Sequence, residues 1–309
     1  MRVKLIFNPI SGSNSESPIQ LMDVITEIQA WNMVPEIYLI ESHTDMDKVV
    51  RDALADGIQM MVVCGGDGTV SSVARAVIGT KATLGIIPTG TQNNVAFSLG
   101  IPTDIPAAIA ILRNGKRLRI DIGICTQGSK STPFIEVCSV GLFSTLFSSA
   151  DDIQHGNLSR VGTFLSTFAS TPPSDIILTL EDEQEIRKVG HLVLISNMPF
   201  IVRHYQVGGT DALVDGFLDV LFFSDLSKMD LIGYMIKGPG TDKNEDPRIQ
   251  HFRVRRMRIE TTPAMPVMVD GITLENGALQ IEVKPHALAV MVGSIAPGGV
   301  LESGEIIGK

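Results

Sequence analysis

An α/β unit followed by an all-β unit is the architecture this sequence predicts, and three observations carry it. The chain has 309 residues, more than one domain usually holds, so length favours two units. Up to Asp121, short apolar runs alternate with helical patterns, the mark of a parallel sheet layered between helices. Beyond it, strand-like runs follow one another with few helices between, which favours an antiparallel sandwich or barrel. The units are expected at 1–122 and 123–292, with the tail 293–309 packing back on the first.

Taken in order, Val3–Phe7, Glu36–Ile40, Met60–Cys64 and Leu84–Ile87 are the strands of the first unit. Their continuous hydrophobicity suits strands covered on both faces. Leu21, Val24, Ile25, Ile28 and Trp31 fall on one helical face, as do Met46, Val49, Val50 and Ala53. A further helix is expected over Ile105–Leu112, stopping near Asn114-Gly115. In the second unit the strand-like runs are Phe134–Val140, Ile176–Leu180, Gly190–Ser196, Leu218–Phe223, Phe252–Thr261, Val267–Val269, Leu279–Val283 and Ala287–Val292. The alternation slips by one between Arg255 and Arg256, as a β-bulge would make it. Arg253, Arg255, Arg256 and Arg258 suit a solvated strand face, and Gly238–Arg248 suits a loop.

Composition narrows the function classes. A net charge of −9 argues against a nucleic-acid partner, which would call for clustered Lys and Arg. No apolar run approaches the ~20 residues of a membrane span, and "MRVKLIFNP" turns polar too early for a signal peptide. Cys64, Cys125 and Cys138 lie in apolar runs without zinc-site spacing, which fits buried free thiols in a cytoplasmic protein.

In an α/β sheet, ligands collect outside the carboxyl ends of the strands. Three loops there are rich in small and polar residues: "NPISGS" (Asn8–Ser13), "GGDGT" (Gly65–Thr69) and "PTGTQNN" (Pro88–Asn94). Small residues let backbone N–H groups reach phosphate oxygens, and two of these loops open into helices. Neither GxGxxG nor GxxxxGK[ST] is present, so the dinucleotide fingerprint and the P-loop are both missing. Together the loops point to a nucleotide phosphate site, yet Asp67 places a carboxylate in the middle of it.

Asn8-Pro9-x-Ser11-Gly12, Gly65-Gly66-Asp67-Gly68-Thr69 and Pro88-x-Gly90-Thr91-x-Asn93 resemble the diacylglycerol-kinase-like catalytic domain of bacterial lipid kinases and sphingosine kinases. The likeness continues through Arg119–Gly123, Gly208–Val220 and Val269–Gly271 and so spans nearly the whole chain. It implies an α/β nucleotide domain, a C-terminal β-sandwich for the lipid, and ATP- and Mg²⁺-dependent phosphorylation of a lipid hydroxyl in phospholipid metabolism. ATP would lie on Asn8, Pro9, Ser11, Gly12, Gly65, Gly66, Asp67, Gly68, Thr69, Gly90, Thr91 and Asn93.

By the same resemblance, Asp67 and Asp121 join a magnesium–water network, which would explain the carboxylate among the glycines. Asn94 stands where many relatives carry that network's third acid, and Asp270 is the expected catalytic base. Asp215 matches a structural Mg²⁺ site, although Asp-Gly is equally a favoured turn pair. Several positions depart from the family: Ile272 replaces the glutamate of D-G-E, Ser71-Ser72 an Asn-Glu pair, and Ile40 a threonine.

Phe143, Leu146, Phe147, Phe164, Leu165 and Phe168 would either line an acyl groove or form ordinary helix cores. The partners expected are a lipid substrate, a membrane surface touched transiently, and a second copy of the chain in a homodimer. Two alternatives stay open: a catalytically weakened nucleotide- or lipid-binding protein, and a soluble-substrate kinase of the NAD kinase type.

Overall fold

The computed structural model describes residues 1–11, 20–142, 172–201, 205–209, 211–231, 246 and 248–293. The first unit runs β1 (Arg2–Phe7), α1 (Leu21–Ala30), β2 (Val34–Leu39), α2 (Met46–Ala55), β3 (Met60–Gly65), α3 (Asp67–Val77), β4 (Thr83–Pro88), α4 (Asn94–Ser98) and α5 (Ile105–Asn114). The strands pair in parallel in the order β2-β1-β3-β4. Their two-residue alternation sorts side chains to opposite faces. Val3, Leu5 and Val62 pack with Val24 and Ile28 of α1 and Ile109 and Leu112 of α5. Ile6, Met61 and Val63 pack instead with Val49 and Val50 of α2 and Val70 and Val73 of α3. The result is the three-layer α/β unit expected.

Local signals place the helix ends. Asp45 and Asp104 accept from the N–H groups of Lys48 and Ala107, capping α2 and α5. After Asn114, any Cβ at position 115 would sit 2.6 Å from the Ile111 carbonyl oxygen and 2.7 Å from that of Val292, so only glycine fits. β2 differs from expectation. It is an edge strand with Val34, Ile37 and Leu39 exposed, and Pro35 is tolerated because an edge need not donate on both sides.

The second unit comprises β5 (Lys116–Gln127), β6 (Lys130–Phe134), β7 (Val137–Gly141), β8 (Ser174–Leu180), β9 (Glu185–Ser196), β10 (Phe200–Ile201), β11 (Tyr205–Gln206), β12 (Leu218–Ser224), β13 (Ile249–Val254), β14 (Arg256–Thr262), β15 (Val267–Val269), β16 (Ile272–Leu274) and β17 (Leu279–Val292). One layer is β8-β14-β17-β5-β6, and the other is β16-β15-β7-β9-β12-β13. The first half of β9 pairs with β8 and its second half lies between β7 and β12, so this strand joins the layers. Between them Ile176, Leu178, Met257, Ile259 and Ile281 meet Val193, Ile195, Val220, Phe222 and Val267.

Three sequence expectations change here. The slip at Arg255 is not a bulge: β13 pairs with β12, β14 pairs with β8 and β17, and the chain changes layer between them. Phe134–Val140 is not one strand, because Ile135 and Glu136 form the junction between β6 and β7. Leu279–Val283 and Ala287–Val292 are one strand, β17, whose register against β5 shifts between Lys284 and Leu288.

That ribbon of β5 and β17 ties the units together. Val290 pairs in parallel with Leu84, so the end of β17 extends the first unit's sheet beyond β4. Ile120, Ile122, Leu288, Val290 and Val292 belong to the first unit's core. The boundary expected at 122/123 thus falls inside a shared strand. The tail 294–309 lies outside the described residues.

Candidate active site

The three small-residue loops meet at the carboxyl ends of β1, β3 and β4. Asn8 Nδ2 donates to Thr69 Oγ1 at 2.8 Å, and the Asn8 N–H donates to the Cys64 carbonyl at 3.0 Å. Thr89 Oγ1 donates to Ser11 Oγ at 2.9 Å. Asn93, at φ +53°, closes the third loop on itself: its Oδ1 accepts from the Gly90 N–H and its Nδ2 donates to the Gly90 carbonyl. Gly66 and Gly90 lie backbone to backbone, and a Cβ on Gly90 would stand 2.5 Å from the Gly66 Cα.

Two features leave room for a ligand. The N-cap of α3 is Gly66, which has no side chain to take up the N–H groups of the first turn. Gly68 in that turn is exposed, and a Cβ there would meet nothing within 4 Å. Uncapped donors beside open space at the positive end of an 11-residue helix suit an anion. Pro9 and Thr91 are exposed at the rim, and Gly12 lies outside the described residues.

Asp67 does not face that space alone. Its Oδ1 accepts from the Val95 N–H at 3.1 Å, and the N–H groups of Asn93 and Asn94 also turn toward it. It therefore caps α4 from the first position of α3. Burial raises its pKa above the usual carboxylate value, and these backbone donors oppose the rise.

Behind Asp67, at the junction of the units, stand two more carboxylates and one arginine. Glu136, only 6% exposed, accepts from Asn94 Nδ2 at 2.8 Å through Oε1, and among the described residues its Oε2 accepts no hydrogen bond. Asp270 lies in the β15–β16 hairpin, where Asp270 (φ +42°) and Gly271 (φ +79°) form the two-residue turn. Its Oδ1 accepts from the N–H groups of Val137 (2.9 Å) and Glu136 (3.1 Å), and its Oδ2 from Ile135 (2.8 Å). Arg75 Nη1, on α3, is 3.9 Å from Asp270 Oδ2 and has no hydrogen-bond partner though buried.

Electrostatics follow from this crowding. Burial first, then the charges of Asp67 and Asp270, push Glu136 well above the ordinary carboxylate range. Burial also raises Asp270, against the pull of its backbone donors and Arg75, while burial lowers Arg75. Neither Glu136 nor Arg75 was singled out from sequence. A lone glutamate inside the apolar run "PFIEVCSV" was the available signal, since such a residue is seldom buried without a task.

Two expected metal residues are otherwise engaged. Asp121 is fully buried, with Oδ2 accepting from the Gly216 N–H and Oδ1 from the His286 N–H, both at 2.7 Å. It fastens the β17 irregularity and the 211–217 segment to β5. Asp215 accepts from the Phe217 N–H at 2.8 Å and pairs with Arg253, whose guanidinium lies 4.9 Å from the Phe217 ring centre. Its charge is met by Arg253, an arrangement that fits the turn explanation. Among the described residues, no three His, Cys, Asp or Glu side chains are placed to hold an ion, and Asp67, Asp121 and Asp215 form no common ligand set. The acyl-groove candidates from Phe143 to Phe168 lie outside the described residues.

Comparison with known proteins agrees with this architecture. The diacylglycerol kinase catalytic domain matches residues 2–125, and the YegS C-terminal NAD kinase β-sandwich-like domain matches residues 137–292. A diacylglycerol kinase of Staphylococcus carnosus is 22% identical over 281 residues, covering 87% of this chain and 88% of that protein. A probable YegS-like lipid kinase of Pseudomonas aeruginosa is 28% identical over 267 residues, covering 82% and 83%. The crystal structure of a putative diacylglycerol kinase from Bacillus anthracis superposes with a TM-score of 0.74 at 23% identity, covering 96% and 98% of the two chains.

Proposed function

The chain belongs to the diacylglycerol kinase catalytic-domain family, and from that membership we propose that it transfers the γ-phosphoryl group of ATP to a hydroxyl of diacylglycerol or a related lipid. The observation that carries this reading is the uncapped start of α3 with open space over Gly68, walled by the Asn8–Ser11 and Gly90–Asn93 loops. Backbone donors there suit a polyphosphate without any lysine in the loops. In phosphoryl transfer, positioning and charge stabilisation supply most of the catalysis, which is what such a cradle offers.

A divalent ion accompanying the nucleotide would neutralise phosphate charge. The described carboxylates do not fit a protein-held ion, since Asp121 and Asp215 are bonded to backbone donors and Arg253. The chain's own share is to seat the phosphates on α3 and to present the acceptor from the β unit. No helix among the described residues is long and apolar enough to cross a membrane.

The test is incubation with γ-labelled ATP, Mg²⁺ and a panel of diacylglycerol, monoacylglycerol, sphingoid base and NAD. Label in a lipid is the expected result. Label in NAD alone would move the chain to the soluble-substrate class, and label in nothing would leave a binding protein.

A further inference from the structure

Three carboxylates meet where the units join, and two of them are committed. Asp67 accepts from the N–H groups at the start of α4, and both oxygens of Asp270 accept from the N–H groups of residues 135–137. With both oxygens so engaged, Asp270 is fixed against the 135–137 backbone and is not free to turn toward a substrate hydroxyl. Glu136 differs. Its one donor is the Asn94 side-chain amide, and its Oε2 accepts no hydrogen bond among the described residues.

We propose that Glu136, rather than Asp270, is the catalytic residue that takes the proton from the acceptor hydroxyl, with Asp270 a positioning residue that fixes the Ile135–Val137 backbone beneath it. This rests on the lipid-kinase reading above. In the step, the hydroxyl oxygen forms a bond to the γ-phosphorus of ATP as the bond from that phosphorus to the β,γ-bridging oxygen breaks. The electron pair leaves on ADP, and the hydroxyl proton passes to Glu136 Oε2 and later to solvent.

Asn94 suits both protonation states. As placed, its amide NH₂ donates to the carboxylate. Turned over, its Oδ1, now buried and unpartnered, accepts from the carboxylic acid. The charged groups facing Glu136 are Asp67 and Asp270, with Arg75 beside Asp270. Two like charges and burial favour proton uptake, which brings the group nearer the working pH of a general base.

The experiment compares wild type, Glu136→Gln, Glu136→Asp and Asp270→Asn. It measures kcat for diacylglycerol in mixed micelles across pH, ATP affinity by calorimetry, and melting. Glu136→Gln should lose ~10²–10⁴-fold in kcat with ATP affinity kept and no loss of melting temperature. Glu136→Asp should retain partial activity with a displaced acid limb, and Asp270→Asn should lose stability along with activity. Turnover within threefold of wild type in Glu136→Gln, with the acid limb in place, overturns the assignment alone. A wild type that binds ATP but labels no lipid overturns the kinase reading and the assignment together.

Discussion

Glu136 shows how one buried side chain sets a measurable property of the whole fold. Its pKa in the folded protein is raised above the ordinary 4.5 of the unfolded chain. Its contribution to stability is therefore complete below that value and is lost as pH climbs through the folded pKa, because the unfolded chain releases its proton first. Glu136→Gln should remove this loss. Within the window, the advantage of the variant over wild type should grow by about 1.4 kcal/mol per pH unit, and parallel stability curves from pH 4 to 9 would contradict it. Asp121 makes the opposite kind of residue. Asp121→Ala orphans the buried N–H groups of Gly216 and His286, at about 1–3 kcal/mol for each donor, so urea unfolding should show a large loss. An Asp121→Ala protein of unchanged stability but no activity would return that residue to the reaction centre. Its partners lie 95 and 165 residues away, which is why the sequence offered a metal role and hid the structural one.

At the level of elements, the strands and helices of the first unit were largely legible, because periodicity is a local property. The expected faces of α1 and α2 bury Val24 and Ile28, and Met46, Val49, Val50 and Ala53. What could not be read was pairing. That β17 lies beside both β14 and β4, and that β13 and β14 belong to different layers, depends on contacts distant in sequence. The same holds for Asp215, whose partner Arg253 comes from β13 across a 38-residue gap. Because an arginine already meets that carboxylate, Asp215→Ala should lower stability by about 1 kcal/mol, equally with and without Mg²⁺. A melting temperature that depends on Mg²⁺ in wild type and not in the variant would restore the metal. The β5–β17 ribbon carries a stronger expectation. Ending the chain at Val283 removes Leu288, Val290 and Val292 from the first unit's core, so amide protection in β3 and β4 should collapse although both strands remain.

For the whole molecule, two units sharing a ribbon bring the uncapped start of α3 to one side of a junction and the Glu136 carboxylate to the other. The loops of the cradle were legible because small residues at strand ends have few other uses. The junction was not, since it forms only when α3, α4, the β6–β7 connection and the β15–β16 turn come together. Gly68 gives the most direct test of whether the cradle is where the chemistry is fed. It lies in the first turn of α3 with open space around it and a backbone conformation any residue adopts, so Gly68→Leu should fold as well as wild type or slightly better. The added side chain would occupy the volume assigned to the phosphates. The measurement is transfer of label from γ-labelled ATP to diacylglycerol by the two proteins, with melting recorded alongside. Transfer by wild type and its loss in a fully folded Gly68→Leu is the expected result; equal transfer by both would place the nucleotide somewhere else and contradict it.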